Sequence, residues 1–185
     1  MRASRPALAT VARSTADLTP IVTLVLKYLT IHEAVDILKQ FRGRGWQPGG
    51  QVLWSGMDMG IVHKWAESCD RQTLTFAMGI LKEPAHAACL RREKTDKEWS
   101  QYIKGASALF TWCAVQGRDV TLVTPPPDER FHPSGMTNLQ SIEGAILAGF
   151  YGPFLLERIL VCHPQVEDAS GFSYQLWPED RVDLW

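Results

Sequence analysis

Four short apolar runs, each closed by a turn signal, set the architecture expected of this chain. Residues 52–54, 120–123, 159–162 and 174–177 are too short and too uninterrupted to be amphipathic helices, and they read as strands. The first runs into Ser55 and Gly56, and the second stops at Pro125, Pro126 and Pro127. Continuous apolar strands with helical stretches between them pack as a mostly parallel sheet with helical crossovers.

The intervening stretches carry helical signals. Thr30 followed by Glu33 is a capping box, and Ala34, Val35, Ile37, Leu38 and Phe41 then recur at helical spacing, which predicts a helix over 31–41. Residues 43–50 hold too much Gly and Pro to continue it and form a connector. A second helix follows the turn at Ser55 and Gly56 and reaches to about Cys69. A third covers 99–115, with Tyr102, Ile103, Ala106, Leu109, Phe110 and Cys113 along one side, and a fourth runs from about Asn138 to Gly149. The expected fold is therefore α/β. A helical lobe (30–48 and 70–116) lies beside a small, mostly parallel sheet lobe (49–69 and 117–185), with the site in the cleft between them. In such sheets ligands sit beyond the carboxyl ends of the strands, which draws attention to Ser55, Gly56, Thr124 and the loop before Asn138.

Composition removes several classes of function. The 19 basic and 20 acidic residues nearly cancel, so the concentrated positive surface that wraps a nucleic acid is missing. The most apolar stretch, residues 21–26, ends at Lys27 and falls far short of the roughly 20 residues of a membrane span. Cys69, Cys89, Cys113 and Cys162 stand far apart, without the CxxC pairs of zinc or redox sites, and read as buried or free thiols in a reducing compartment. His32, His63, His86, His132 and His163 have no metal-ligand spacing, so no metal is expected. Residues 1–29 read as a leader of uncertain order. Arg2, Arg5 and Arg13 without an acid suit a transit peptide loosely, and no secretory signal is recognised, which favours the cytoplasm or delivery into a cytosol.

The common enzyme signatures are absent: GxSxG, the P-loop, GxGxxG and HExxH. Three local patterns remain, Val-Leu-Trp-Ser-Gly at 52–56, Glu-Trp-Ser to Ala-Ser-Ala-Leu-Phe within 98–110, and Thr-Asn-Leu-Gln-Ser-Ile-Glu at 137–143. In this order they resemble the ADP-ribosyl cyclase and NAD glycohydrolase family. The resemblance runs from residue 52 to 163. It matches Trp54, Ser55 and His63 to the family's first Trp-Ser strand end, and Trp99, Ser107 and Phe110 to its second Trp helix. It also matches Asn138 to Glu143 to the loop carrying the catalytic glutamate, and Leu156, Glu157 and the strand after them to the strand that follows. Where the family carries Thr-Leu-Glu-Asp this chain has Thr73, Leu74, Thr75 and Phe76, so a second acid is replaced by Thr75.

The resemblance implies cleavage of the nicotinamide–ribose bond of NAD, with NAD as substrate and no cofactor. The replacement at Thr75 leaves open whether cyclic ADP-ribose forms beside the linear product, and the resemblance suggests either NAD depletion as a toxin or effector, held by an inhibitory partner, or second-messenger synthesis as the biological role. The chemistry suits the residues. Oxidised nicotinamide is cationic, and Trp54 and Trp99 are the expected walls of its site, each cation–π contact being worth about 0.5–2 kcal/mol. Glu143 is the expected carboxylate that stabilises or captures the oxocarbenium ion. Thr137 and Gln140 form a second capping box, which puts Glu143 near a helix amino end where ionisation is expected to be favoured. Ser55, Ser107, Asn138 and Ser141 are the expected donors to the diphosphate, with Thr75 and Phe110 as secondary candidates. The competing expectation is a non-catalytic nucleotide-binding or protein-interaction module on the same fold.

Overall fold

The computed structural model describes residues 17–152 and 156–185. Its five strands are β1 (Gln51–Trp54), β2 (Gln72–Thr73), β3 (Asp119–Val123), β4 (Arg158–Cys162) and β5 (Ser173–Trp177), in the order β2-β1-β3-β4-β5. β1 pairs parallel with β2 and β3, and β3 pairs parallel with β4. β5 closes the edge antiparallel to β4, with a register irregularity between Ile159 and Leu160. The sheet is thus mixed but mostly parallel.

The helices are α1 (Thr19–Val25), α2 (Ile31–Gly43), α3 (Met59–Ser68), α4 (Leu74–Met78), α5 (Asp96–Val115) and α6 (Gly144–Leu147). Each parallel join passes through helix, as parallel pairing requires. Caps fix where they start. Thr30 Oγ1 accepts from the Glu33 N–H at 3.2 Å while Glu33 Oε2 accepts from the Thr30 N–H at 2.7 Å. Thr95 and Glu98 repeat this box ahead of α5, so that helix opens three residues before the Trp99 expected from periodicity. Asp58 caps α3 through the N–H groups of Gly60 and Ile61.

Strand alternation divides the core. Leu53, Val120 and Leu122 point into the main cluster with Ile37 and Phe41 of α2, Ala106 and Phe110 of α5, and Ile146 of α6. Val52 and Val123 point the other way and meet Val62 of α3 and Met57. The central strand β3 is therefore buried on both sides. One apolar cluster joins helices and sheet, and β2 lies within the segment expected to be purely helical, so the two lobes share a core.

Part of the segment read as a leader belongs to this core. α1 buries Ile21, Leu24 and Val25, and Leu29 seats on the bare backbone of Gly105 in α5, where a Cβ would come within 2.4 Å of Leu29 Cγ. The arginines of residues 1–16 lie outside the described residues. The four cysteines are unpaired thiols, with Cys89 and Cys162 buried and Cys69 exposed. Among the described residues no helix is long and apolar enough to cross a membrane.

Candidate active site

At the end of β1 the chain reverses through Gly56, whose φ of +71° lies in the left-handed region and whose missing Cβ would stand 3.2 Å from the ring of Pro125. This close approach brings the exits of β1 and β3 together. The Ser55 N–H donates to the Val123 carbonyl at 3.1 Å, and the Ser55 hydroxyl donates to Thr137 Oγ1 at 3.0 Å. Thr137 Oγ1 in turn accepts from the Gln140 N–H at 3.3 Å while Gln140 Oε1 accepts from the Thr137 N–H at 3.4 Å and from its hydroxyl at 2.9 Å, which completes the expected capping box. Ser55 thus ties the end of β1 to the loop that carries Glu143.

The helix after Thr137 is not α-helical from its start. Leu139–Glu143 form one wide turn of π type before α6 begins at Gly144. Such turns are rare in helices and recur at functional sites. Leu139, Ile142 and Glu143 are the buried members of this turn.

Glu143 reaches a cavity of about 250 Å³ that opens among the end of β1, the start of α4, the middle of α5 and this turn. Trp54, Ser55, Thr75, Lys82, Ile103, Ser107, Thr137 and Asn138 line it with Glu143. Glu143 is only 6% exposed, and the buried Ser107 hydroxyl donates to its Oε1. Burial pushes its carboxyl up to about 7, and the bond from Ser107 pulls back only part of that rise. The expectation that the helix amino end favours ionisation is thereby corrected. Desolvation of the whole side chain outweighs what a single wide turn supplies.

The other expected residues divide. Ser55, Ser107, Asn138 and Trp54 border the cavity with Glu143. Trp54 alternates to the sheet face opposite Leu53, and its ring packs with Val52, Met57, Val62 and Val123. Trp99 lies outside the cavity. It shares a helical stripe with Ile103 and Ser107, but stands two turns away, about 12 Å along the axis, stacked on Tyr102 with Arg91 over its ring. The two indoles therefore do not face one another. Ser141 is exposed and contributes nothing to the cavity, since its position on the wide turn points away from Leu139 and Ile142. Phe110 is fully buried between Phe41 and Trp46, with edge contacts at 5.7 and 5.4 Å, and serves the core. His63 lies on α3 in a neighbouring recess, and burial holds its imidazole below the ordinary range.

Lys82 is the residue that sequence reading did not find. It ends a single helical turn, Gly79–Lys82, and sits beside Glu83 and Pro84 in a stretch that looks like solvated surface. Instead its ammonium is half-buried and donates to Thr75 Oγ1 at 2.6 Å. Burial lowers its pKa. Among the described residues no three His, Cys, Asp or Glu side chains gather as a metal site. Set against family models, curated proteins and solved structures, the chain matches none.

Proposed function

We propose that this chain is an NAD glycohydrolase of ADP-ribosyl cyclase type, with Glu143 as its catalytic carboxylate. One observation carries the reading: a buried carboxyl with, among the described residues, one hydrogen-bond donor, Ser107, facing a small cavity at the carboxyl end of a mostly parallel sheet. Such a group is costly to keep unless a ligand uses it.

Cleavage of NAD breaks the bond between the nicotinamide nitrogen and ribose C1′. The bonding electrons leave with nicotinamide, which departs neutral, so no general acid is needed. The positive charge passes to the ribose as an oxocarbenium ion, which the Glu143 carboxylate stabilises or captures. Water then attacks C1′ and loses a proton, giving ADP-ribose. Attack by the adenine ring instead gives the cyclic product. Glu143 must be ionised for this step, and a cationic nicotinamide ring in the cavity favours that form. Trp54 borders the cavity at the end of β1 while its ring packs on the far face of the sheet, and Ser55 and Asn138 offer polar groups to the sugar.

Glu143→Gln tests the reading directly. With purified protein and NAD, separated products should show nicotinamide release falling about 1,000-fold, in line with the loss of one preorganised electrostatic group. An active variant overturns the role of Glu143, and a folded wild type that releases no nicotinamide overturns the function. The absence of an acid at Thr75 and the distance of Trp99 favour a second reading, a nucleotide-binding module without turnover. That reading expects NAD to quench Trp54 fluorescence while remaining intact.

A further inference from the structure

A cavity built for a cationic ring has no evident use for a lysine. Yet Lys82 lines the same 250 Å³ cavity as Glu143, and among the described residues no carboxylate lies within ion-pair distance of it. Its partner in the structure is the neutral hydroxyl of Thr75. Beside it, Nε2 of His63 is buried with no hydrogen-bond partner. His63 lines the adjoining recess and not this cavity, so it is the partly desolvated ammonium of Lys82 that an oxyanion in the cavity would satisfy. The positive character continues past Thr75 into an adjoining recess of about 260 Å³, where Arg44 and Arg71 stand against Glu67.

We propose that Lys82, held by Thr75, binds the phosphate on the ribose of the substrate, so that the unit recognised in the cavity is a zwitterionic nicotinamide mononucleotide. The proposal rests on the glycohydrolase reading for the cationic end of the ligand, and on Lys82 with its Thr75 partner for the anionic end. The cavity then offers the two charges that a mononucleotide complements, a carboxylate for the ring and an ammonium for the phosphate. A cavity of this size is also smaller than the roughly 300–1,000 Å³ of sites that enclose a drug-sized ligand, which suits one half of a dinucleotide.

The test is titration calorimetry of the full chain with nicotinamide mononucleotide and with nicotinamide riboside, which lacks the phosphate. The wild type should bind the mononucleotide about 10- to 100-fold more tightly, the range of one hydrogen-bonded charge pair. Lys82→Met should bring that ratio close to one, and Lys82→Arg should restore part of it. Equal affinity of the wild type for the two compounds overturns the proposal without any variant, as does a ratio that survives Lys82→Met. A wild type that binds neither compound at millimolar concentration also overturns it, whatever its turnover of NAD. If the mononucleotide preference is present and depends on Lys82 while no nicotinamide is released, the phosphate site stands and the glycohydrolase reading falls.

Discussion

Two buried ionisable groups in this protein are treated in opposite ways. His163, at the end of β4, is fully buried and spends both ring nitrogens. Nδ1 lies 2.9 Å from the Thr124 carbonyl, which can only accept, so the proton sits on Nδ1. Nε2, 3.1 Å from the Tyr174 hydroxyl, then accepts from it. Arg130 stands next to Tyr174 and is itself held by both oxygens of Asp180 at 3.1 and 2.7 Å. Trp185 packs edge-on against the imidazole at 4.5 Å between centroids. Glu143 has acceptor sites on two oxygens, one donor and a cavity in front of it. A buried polar group whose valences are all met by the fold is part of the scaffold. One left mostly unmet and aimed at open volume is where a ligand is awaited.

The comparison is sharpest where the two groups act on stability with opposite sign. The Glu143 carboxyl is raised to about 7 from 4.5, so the native state holds its proton longer than the unfolded chain does. Its neutral form costs nothing below pH 4.5, and the penalty grows as pH climbs from 4.5 through 7. Replacing it by Gln should therefore stabilise the fold by as much as about 3 kcal/mol above pH 7 and by little at pH 4.5, read from urea midpoints at the two pH values. No pH-dependent gain would mean that the carboxyl is better solvated than its burial implies.

His163 behaves in the reverse sense. Its pKa is lowered chiefly by burial, so the folded state resists protonation, and the stability it supports is present above the unfolded value near 6.5 and fades as pH falls below it. His163→Leu should cost about 2 kcal/mol at pH 7.5, because the Thr124 carbonyl and the Tyr174 hydroxyl lose their partner, and nicotinamide release should persist in the folded fraction. If that variant kept its stability and lost turnover, the distinction drawn between the two groups would be reversed.

Smaller effects concern the profile of activity. With Glu143 required as its anion, kcat/KM should rise with pH along a limb near 7, the value of the free enzyme, while kcat should have its limb at lower pH because a bound cationic ring favours the carboxylate. Ser107→Ala removes the donor that pulls the carboxyl back, so the kcat/KM limb should move to higher pH and the rate at pH 7 should fall about tenfold. A limb that stays in place would separate Ser107 from the titration of Glu143.

Local sequence carried much of this arrangement and tertiary structure supplied the rest. The runs around Leu53, Leu122, Val161 and Tyr174 are strands because apolar continuity over four or five residues has few other uses, and Thr30 and Thr137 announce their helices through a glutamate or glutamine three residues on. β2 is two residues long and has no period to detect, and α1 spans only seven residues, followed by Leu29, which seats on the bare backbone at Gly105. At the site, the type and position of Glu143 could be read from the chain, but its burial could not, since that is set by α5, β1 and α4, which are distant in sequence. Trp54 and Trp99 show the limit of pattern alone. Strand alternation turns the first toward α3, and two turns of helix separate the second from Ser107. Lys82 was invisible because a lysine beside Glu and Pro looks like any surface turn, and only its bond to Thr75 and its place on the cavity wall reveal what it faces.

The wide turn at Leu139–Glu143 makes the site a matter of counting. Each residue of an α-helix advances the chain by about 100°, and a π turn is an α turn that has accepted one residue too many. Exposed Ser141 touches nothing in the cavity, so almost any side chain there should be tolerated, whereas its deletion would let the turn tighten and rotate Glu143 by roughly that angle relative to Thr137, away from Ser107. At this point of the fold a lineage would be free to change letters and unable to lose one.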